Sequence, residues 1–314
     1  MTSPADVLVR PAYRPYLARV AGVRRLSPAF LRVTFTSPDF AHVGTAGLDQ
    51  RVKLVLPRPD GSLCDVGQTD PEIIAAGTWY QTWRDLPAHE RGPFRTYTIG
   101  RTDPDAGEVD IDFVLHHDAG PAGSWAERAA VGDEIVLVGP DERSEQRRLG
   151  IDWHPGTARR LLLAGDETAV PAIGAIVGAL GDDVDADVFV EVPTSADVLT
   201  WAVPARTRVR WIGRDGADHG AGLIDAVSRW CAGNPDCLER AAAPRPEVLA
   251  DIDVDRDLLW DAPQDGDGEF YAWIAGEAAT VKTLRRMLVS AHGVDRKRVA
   301  FMGYWRLGQA ERQE

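Results

Sequence analysis

The segment Gly92-Pro93-Phe94-Arg95-Thr96-Tyr97-Thr98-Ile99-Gly100-Arg101 reads as a β-strand. Phe94, Thr96 and Thr98 alternate with Arg95, Tyr97 and Ile99, and most of these side chains are aromatic or β-branched, the types that suit a pleated, half-buried surface. Its centre, Arg-Thr-Tyr-Thr, sets three kinds of group side by side. A guanidinium is a planar fork matched to phosphate oxygens. A phenol ring can cover another flat ring. A threonine offers a hydroxyl and a backbone N–H to a ring heteroatom. Together they suit a flavin dinucleotide, with its pyrophosphate on Arg95, its isoalloxazine beside Tyr97 and its flavin edge against Thr98. An ordinary barrel strand with a surface arginine accounts for the same four residues, so the flanking chain has to decide.

Upstream, residues 16–24 and 28–37 read as two strands with Ser27-Pro28 turning between them. Arg51-Val52-Lys53-Leu54-Val55-Leu56-Pro57 is a third strand, stopped by its proline. The polar stretch from Arg58 to Gly92, with Trp79 and Trp83 inside it, reads as a long connection, the kind that is functional or an insertion. Downstream, Val109, Ile111, Phe113 and Leu115 share one face of a strand, and Gly132-Asp133 turns into Ile135-Val136-Leu137-Val138. About six strands with little helix between them predict a small antiparallel barrel. Between the last two strands, His116 to Ala126 forms a glycine-loosened loop with Ser124 at the start of a helix over 125–130. Such a helix start favours phosphate, and a simple serine cap accounts for it equally. His116 and His117 point to opposite faces of a strand, which argues against a metal pair.

From about residue 160 the period changes. Strands at 160–164, 187–191, 208–212, 270–275 and 299–305 alternate with helices at 168–180, 222–231 and 277–291. That alternation predicts a parallel sheet with right-handed crossovers, which binds nucleotides at the carboxyl ends of its strands. A glycine-rich phosphate loop is missing. Ala164-Gly165-Asp166-Glu167-Thr168-Ala169-Val170-Pro171 stands in its place, and two carboxylates there would repel a pyrophosphate. A second candidate is Gly276-Glu277-Ala278-Ala279-Thr280-Val281-Lys282, a turn into a helix that buries Ala278, Val281, Leu284 and Leu288 and leaves Lys282, Arg285 and Arg286 on its open side.

The chain has 314 residues, enough for two domains, and a formal net charge of −13, which disfavours broad binding to nucleic acid or anionic membrane. Its three cysteines are too sparse for a disulfide framework or a four-thiolate cluster and suit a reducing cytoplasm. No run has the length of a signal-peptide core or a membrane span. Charge is uneven: residues 242–270 carry nine acidic and two basic side chains, and residues 281–306 carry seven basic and one acidic. Part of that basic excess suits an anionic ligand between the domains.

Taken in order, Arg95-Thr96-Tyr97-Thr98, His116…Gly120-Pro121-Ala122…Trp125-Ala126, Gly165 to Ile173, Ala275-Gly276-Glu277 and Tyr304-Trp305-Arg306-Leu307-Gly308 resemble the siderophore-interacting protein family. These are FAD-dependent ferric-siderophore reductases of the ferredoxin–NADP reductase superfamily, and the resemblance runs from about residue 14 to 308. It implies a six-stranded antiparallel FAD-binding barrel over residues 1–157 and a parallel-sheet NAD(P)H-binding domain over 158–314. It implies FAD on Arg95, Thr96, Tyr97 and Thr98, with His116 in the adjoining loop, Ala122, Gly123, Ser124 and Trp125 at the pyrophosphate, and Thr168 nearby. NAD(P)H would lie at Gly276, Glu277 and Lys282. A ferric siderophore would sit among Lys53, Arg306 and a third cation. The family's Gly-Pro-Arg-Gly turn reads Gly139-Pro140-Asp141-Glu142-Arg143 here, so Arg143 takes that place, and Gly100 stands where an arginine is common. The implied activity is electron transfer from NAD(P)H through FAD to chelated Fe(III), releasing Fe(II) in the cytoplasm, with no protein acid, base or nucleophile and no resident metal. Two alternatives stay open: a reductase serving another acceptor, and a protein that holds FAD or a siderophore without turnover.

Overall fold

The first half of the chain contributes strands β1 (Tyr13–Arg25), β2 (Phe30–Thr36), β3 (Arg51–Val55), β4 (Phe94–Asp103), β5 (Glu108–Val114) and β6 (Glu134–Pro140). They close into an antiparallel barrel in the order β1-β2-β5-β4-β3-β6, as the alternating pattern predicts. β6 returns along β1 from Tyr13↔Pro140 to Arg19↔Glu134, so no long edge is left exposed. Tyr16, Val33, Phe35, Val52, Leu54, Ile111, Phe113 and Leu137 fill the interior. The computed structural model describes residues 10–115, 120–245, 249, 257, 259–264 and 268–309.

The stretch between β3 and β4 is not a plain connection. It holds two short helices, α1 (Pro71–Ala76) and α2 (Trp79–Asp85). Asp70 accepts hydrogen bonds from the Glu72 and Ile73 backbone N–H groups, Pro71 takes the first turn, and Gly77 at φ 68° ends it. Trp79, Tyr80 and Trp83 gather on Phe94, with Trp83 at 4.9 Å between ring centroids. With Val55, Val136 and Val138 they make a second core on the outside of the barrel. An apolar outer face on β3, β4 and β6 had to be covered, and these aromatics cover it.

Helix α3 (Pro121–Arg128) follows β5. It starts four residues before the expected helix, with Gly120 as its cap residue and Pro121 in its first position. Ser124 is therefore inside the helix, its N–H donating to the Gly120 carbonyl at 3.0 Å, and is not the cap. His116 and the rest of 116–119 lie outside the described residues.

The second half builds a six-stranded sheet from β7 (Arg160–Gly165), β8 (Asp185–Val192), β9 (Thr207–Gly213), β10 (Trp260–Asp261), β11 (Phe270–Glu277) and β12 (Val299–Trp305). The order is β10-β12-β11-β7-β8-β9. Five strands are parallel, as predicted. The two-residue β10 runs antiparallel to β12, so the sheet is mixed at that edge. Two residues carry too little period to be read as a strand. Helix α4 (Val170–Ala179) packs on one face; α5 (Ala221–Gly233), α6 (Pro235–Ala241) and α7 (Ala278–Arg285) pack on the other. The helix expected over 277–291 stops being α-helical at Arg285 and continues as a π-helical turn over Arg286–Ala291.

The two sheets share a core. Ala29 and Phe30 of the barrel side join Trp153, Tyr271 and Trp273 in the cluster under α4. The polar tie is Asp49, 1% exposed. Its carboxylate accepts from the backbone N–H of Asp152 (3.1 Å) and Trp153 (3.2 Å) and from Trp273 Nε1 (3.0 Å). A second tie is buried Asp197, whose Oδ1 accepts from Ser27 Oγ and Ala29 N, each at 2.7 Å. Through these ties β4 and α4 lie against each other. No helix among the described residues is long and apolar enough to cross a membrane.

Burial pushes the Asp49 carboxyl up to about 6, the Trp273 bond opposing and nearby Asp152 adding to the rise. A carboxyl that is harder to ionise in the folded chain than in the unfolded one stabilises at low pH and loses that contribution as pH rises through 6. Between pH 5 and pH 7.5 the parent should therefore lose about 1–1.5 kcal/mol of stability relative to Asp49→Asn. Denaturant unfolding of both proteins across that range measures the difference; parallel pH profiles would show that Asp49 is not the titrating tie.

Candidate functional site

β4 carries two different surfaces because strand side chains alternate. Arg95 and Tyr97 lie on one, Thr96 and Thr98 on the other. Tyr97 is half-buried and packs on Phe113 of β5 at 4.6 Å between centroids; Trp125 of α3 packs on the same Phe113 at 5.8 Å and stacks on Phe35 at 6.1 Å. Phe113 thus brings the Arg-Thr-Tyr-Thr strand and the start of α3 to one place. The β4–β5 ladder covers only Ile99–Asp103, so the two strands are not laddered where Arg95 and Tyr97 stand. Arg95 is half-buried there, with Nη1 donating to the Phe94 carbonyl at 2.8 Å. Ala122 and Gly123 are buried in the first turn of α3, which has no side-chain cap among the described residues.

This donor set fits FAD. Backbone N–H groups in an uncapped first turn and a guanidinium fork are the groups a pyrophosphate takes, and a half-buried phenol ring beside them suits a flat heterocycle. Two of the expected cofactor residues make bonds within the protein. Thr96 turns away from Arg95 and Tyr97 toward β3, where its Oγ1 accepts from Lys53 Nζ at 2.8 Å. Ser124 N–H is taken by the helix itself.

The expected siderophore cations fall into three separate settings. Lys53 pairs across the ladder with Thr96 and stands 5.1 Å over the Phe94 ring. Arg143 grips buried Asp141 bidentately, at 2.8 and 2.7 Å, which holds the Asp141 carboxyl below its ordinary range despite burial. Arg306 follows β12 and donates to the Asp257 carbonyl at 2.6 Å. Arg285, expected on the open side of α7, is instead 7% exposed and bonded to Asp261 of β10 at 3.2 Å. Arg296 reaches the same carboxylate. Part of the basic excess near the end of the chain is thus neutralised by the acidic stretch before it.

At the carboxyl ends of β7, β11 and β12 lies a network that the sequence does not announce. The carboxylates of Asp166 and Glu167, read as repelling phosphate from an open loop, are both 1% exposed. Asp166 Oδ1 accepts from Thr168 N–H at 2.9 Å and Thr168 Oγ1 at 2.5 Å. Its Oδ2 accepts from Glu277 N–H at 2.7 Å and Trp305 Nε1 at 2.8 Å. Glu167 receives Arg214 bidentately, 2.7 Å at each oxygen, and Arg214 also reaches Glu191 at 3.2 Å. Burial and the neighbouring Glu167 charge raise the Asp166 carboxyl; for Glu167, burial is outweighed by His219 and Arg214, which lower it. His219 Nε2 stands 3.7 Å from both carboxylates. The ligand atoms of Asp166, Glu167 and His219 lie within 4.8 Å of one another. A divalent ion among them would meet the fixed Arg214 charge and oxygens already accepting hydrogen bonds.

The expected nicotinamide residues belong to the same network. Glu277 gives its N–H to Asp166 and turns its carboxylate onto Thr280 N–H at 2.8 Å, capping its own helix. Gly276 faces Asp166, and Lys282 is half-buried further along α7. Thr168 directs both its hydroxyl and its N–H at Asp166.

Comparison with known proteins accords with this geometry. The model of the siderophore-interacting FAD-binding domain matches residues 19–144, and that of the siderophore-interacting protein matches 158–308. A Mycobacterium tuberculosis protein without an assigned function is 33% identical over 304 residues, covering 96% of this chain and 93% of its own. The ferric vibriobactin reductase ViuB of Vibrio cholerae is 26% identical, covering 95% of this chain and 91% of its own. The solved structure of the siderophore-interacting protein SipS from Aeromonas hydrophila superposes with a TM-score of 0.65 at 26% identity, covering 96% and 94% of the two chains. With a closed FAD-binding barrel, Tyr97 of the Arg-Thr-Tyr-Thr strand and Trp125 of α3 packed on one Phe113, and matches that span both sheets, this chain belongs to the siderophore-interacting protein family and its cofactor is FAD.

Proposed function

We propose that the protein is a reductase that passes electrons from NAD(P)H through FAD to a ferric siderophore and releases the iron as Fe(II). The observation that carries this reading is the meeting of Tyr97 with Trp125 of α3 around Phe113, in a chain whose relatives include a ferric vibriobactin reductase. FAD, when bound, accepts a hydride from the donor and gives up electrons singly, so one NAD(P)H serves two ferric ions.

The chain's own part is position and charge. Arg95 and the amides of Ala122 and Gly123 would hold the pyrophosphate, and Tyr97 would set the plane of the flavin. Asp152 and Trp260 orient Arg51 at the junction of the sheets, the Asp152 carboxylate at 3.1 Å and the Trp260 ring at 4.5 Å. Lys53, on the same face of β3 as Arg51, supplies positive charge to an acidic protein where an anionic chelate would dock; Arg306 and Arg143 are the further cations of this reading. An outer-sphere transfer asks for no acid, base or nucleophile from the protein. Fe(II) is softer and less charged than Fe(III), so hard oxygen ligands hold it less tightly. We place the reaction in the cytoplasm and the boundary between the FAD and nucleotide domains near residue 157.

One observation favours a second reading. The Thr168 and Glu277 amides at the ends of β7 and β11 already bond to the Asp166 carboxylate, which suits a protein that holds FAD or a siderophore without turnover. Anaerobic mixing with NADH and NADPH, then with ferric chelates, separates the two: bleaching followed by chelate reduction supports the reductase, and a yellow protein that never bleaches supports the binder.

Arg95→Ala should weaken FAD by about 1.5–3 kcal/mol, the scale of a hydrogen bond to a charged group; unchanged affinity in a fluorescence titration removes Arg95 from the site. Lys53→Ala should raise KM for an anionic ferric chelate roughly two- to tenfold, matching about 0.5–1.5 kcal/mol for a partly screened charge pair. The difference should shrink in high salt while the rate of flavin bleaching by NAD(P)H stays the same. Equal KM for both proteins at low salt would place the chelate elsewhere.

A further inference from the structure

In an open parallel sheet a ligand phosphate settles where the strand order reverses, on backbone N–H groups at the strand ends. Here the order reverses between β7 and β11. The groups at that point are the Thr168 and Glu277 amides, with Trp305 Nε1 from β12 beside them. All three are directed at one carboxylate, that of Asp166, together with the Thr168 hydroxyl. Gly276 allows the close approach: its φ is 146°, and a Cβ there would stand 2.6 Å from Asp166 Oδ2. Behind the carboxylate, His219 is packed edge-on to Trp305 at 5.0 Å between centroids. Its side chain is 12% exposed, and its Nε2 stands 3.7 Å from both Asp166 Oδ2 and Glu167 Oε2.

We propose that Asp166 is a resident anion: its carboxylate fills the phosphate seat at the switch point, and Asp166 is therefore the residue that sets affinity for a phosphate-bearing electron donor. This rests on the reading of the α/β domain as the donor side. The donors that would bind a pyrophosphate oxygen are already saturated, and a second anion on them would be repelled. A tethered carboxylate also competes as an intramolecular ligand, at high effective concentration, against any phosphate from solution. Glu167 takes no part in the exclusion, because Arg214 neutralises it.

The test uses the FAD-loaded protein, inorganic pyrophosphate as probe, and the variants Asp166→Ala and Asp166→Asn. In the parent, pyrophosphate should leave the melting temperature unchanged, and the indole 15N–1H resonance of Trp305, assigned with Trp305→Phe, should not move. Asp166→Ala vacates the seat; it should bind pyrophosphate roughly tenfold or more tightly than the parent, the effect of one charge-assisted hydrogen bond. Its KM for NAD(P)H should fall in step. Asp166→Asn, which fills the seat without the charge, should fall between them. A parent Trp305 resonance that shifts with submillimolar pyrophosphate overturns the proposal, as does a folded Asp166→Ala that binds pyrophosphate no better. If Asp166→Ala fails to fold, the parent resonance and Asp166→Asn decide. If pyrophosphate binds the alanine variant while neither nicotinamide reduces any form, the seat assignment stands and the donor reading falls.

Discussion

The carboxylate of Asp49 holds the two sheets in one frame. It stands just before β3, yet its three bonding partners are the chain that leaves the barrel (Asp152 and Trp153) and the central strand of the second sheet (Trp273). A carboxylate is costly to bury, and three N–H donors offset much of that cost. Removing it would leave those donors without an acceptor inside a dry interface, so the geometry is specified at both ends. Because Asp49 directly precedes Gln50 and Arg51, it also fixes the start of β3, and β3 in turn registers β4 through Arg51↔Thr98 and Lys53↔Thr96. The cofactor strand and the parallel sheet therefore cannot move independently.

β4 then divides the chemistry. On one surface, shared with Arg95, Tyr97 packs on Phe113; the other, Thr96 with Lys53, faces away from it. Phe94 at the start of the strand is clamped by Trp79, Tyr80 and Trp83, which makes α2 a support for the strand. The pleat alone separates these two sets of groups, without any further device.

The acidic composition hides an orderly pairing of arginines. Arg32 grips Asp112, Arg101 bridges Asp110 and Glu108, Arg143 grips Asp141, and Arg214 grips Glu167. Carboxylates that are buried in these pairs contribute to the frame, whereas the exposed ones carry the net charge. Local potential near the site therefore depends on which cations are committed to a partner, which net charge alone does not reveal. Arg285 illustrates this: a helix position read as open is buried because β10 brings Asp261 across to it.

Alternation and punctuation were enough to read the barrel, the five parallel strands and the Arg-Thr-Tyr-Thr strand, because period-two and period-3.6 burial are written directly in residue order. The Asp70-Pro71 start of α1 was equally present in the chain, as a cap followed by a helix-compatible proline, and was masked by the polar residues around it. The edge strand β10 left no such trace, since two residues hold no period. What Asp166 and Glu167 bond to was decided only by tertiary structure. In sequence they are two adjacent negative charges, but Arg214 lies 47 residues from Glu167, Glu277 lies 111 and Trp305 lies 139 from Asp166. Whether a carboxylate repels a ligand or takes its place depends on the donors around it, and those donors arrive from strands that become neighbours only when the sheet has formed.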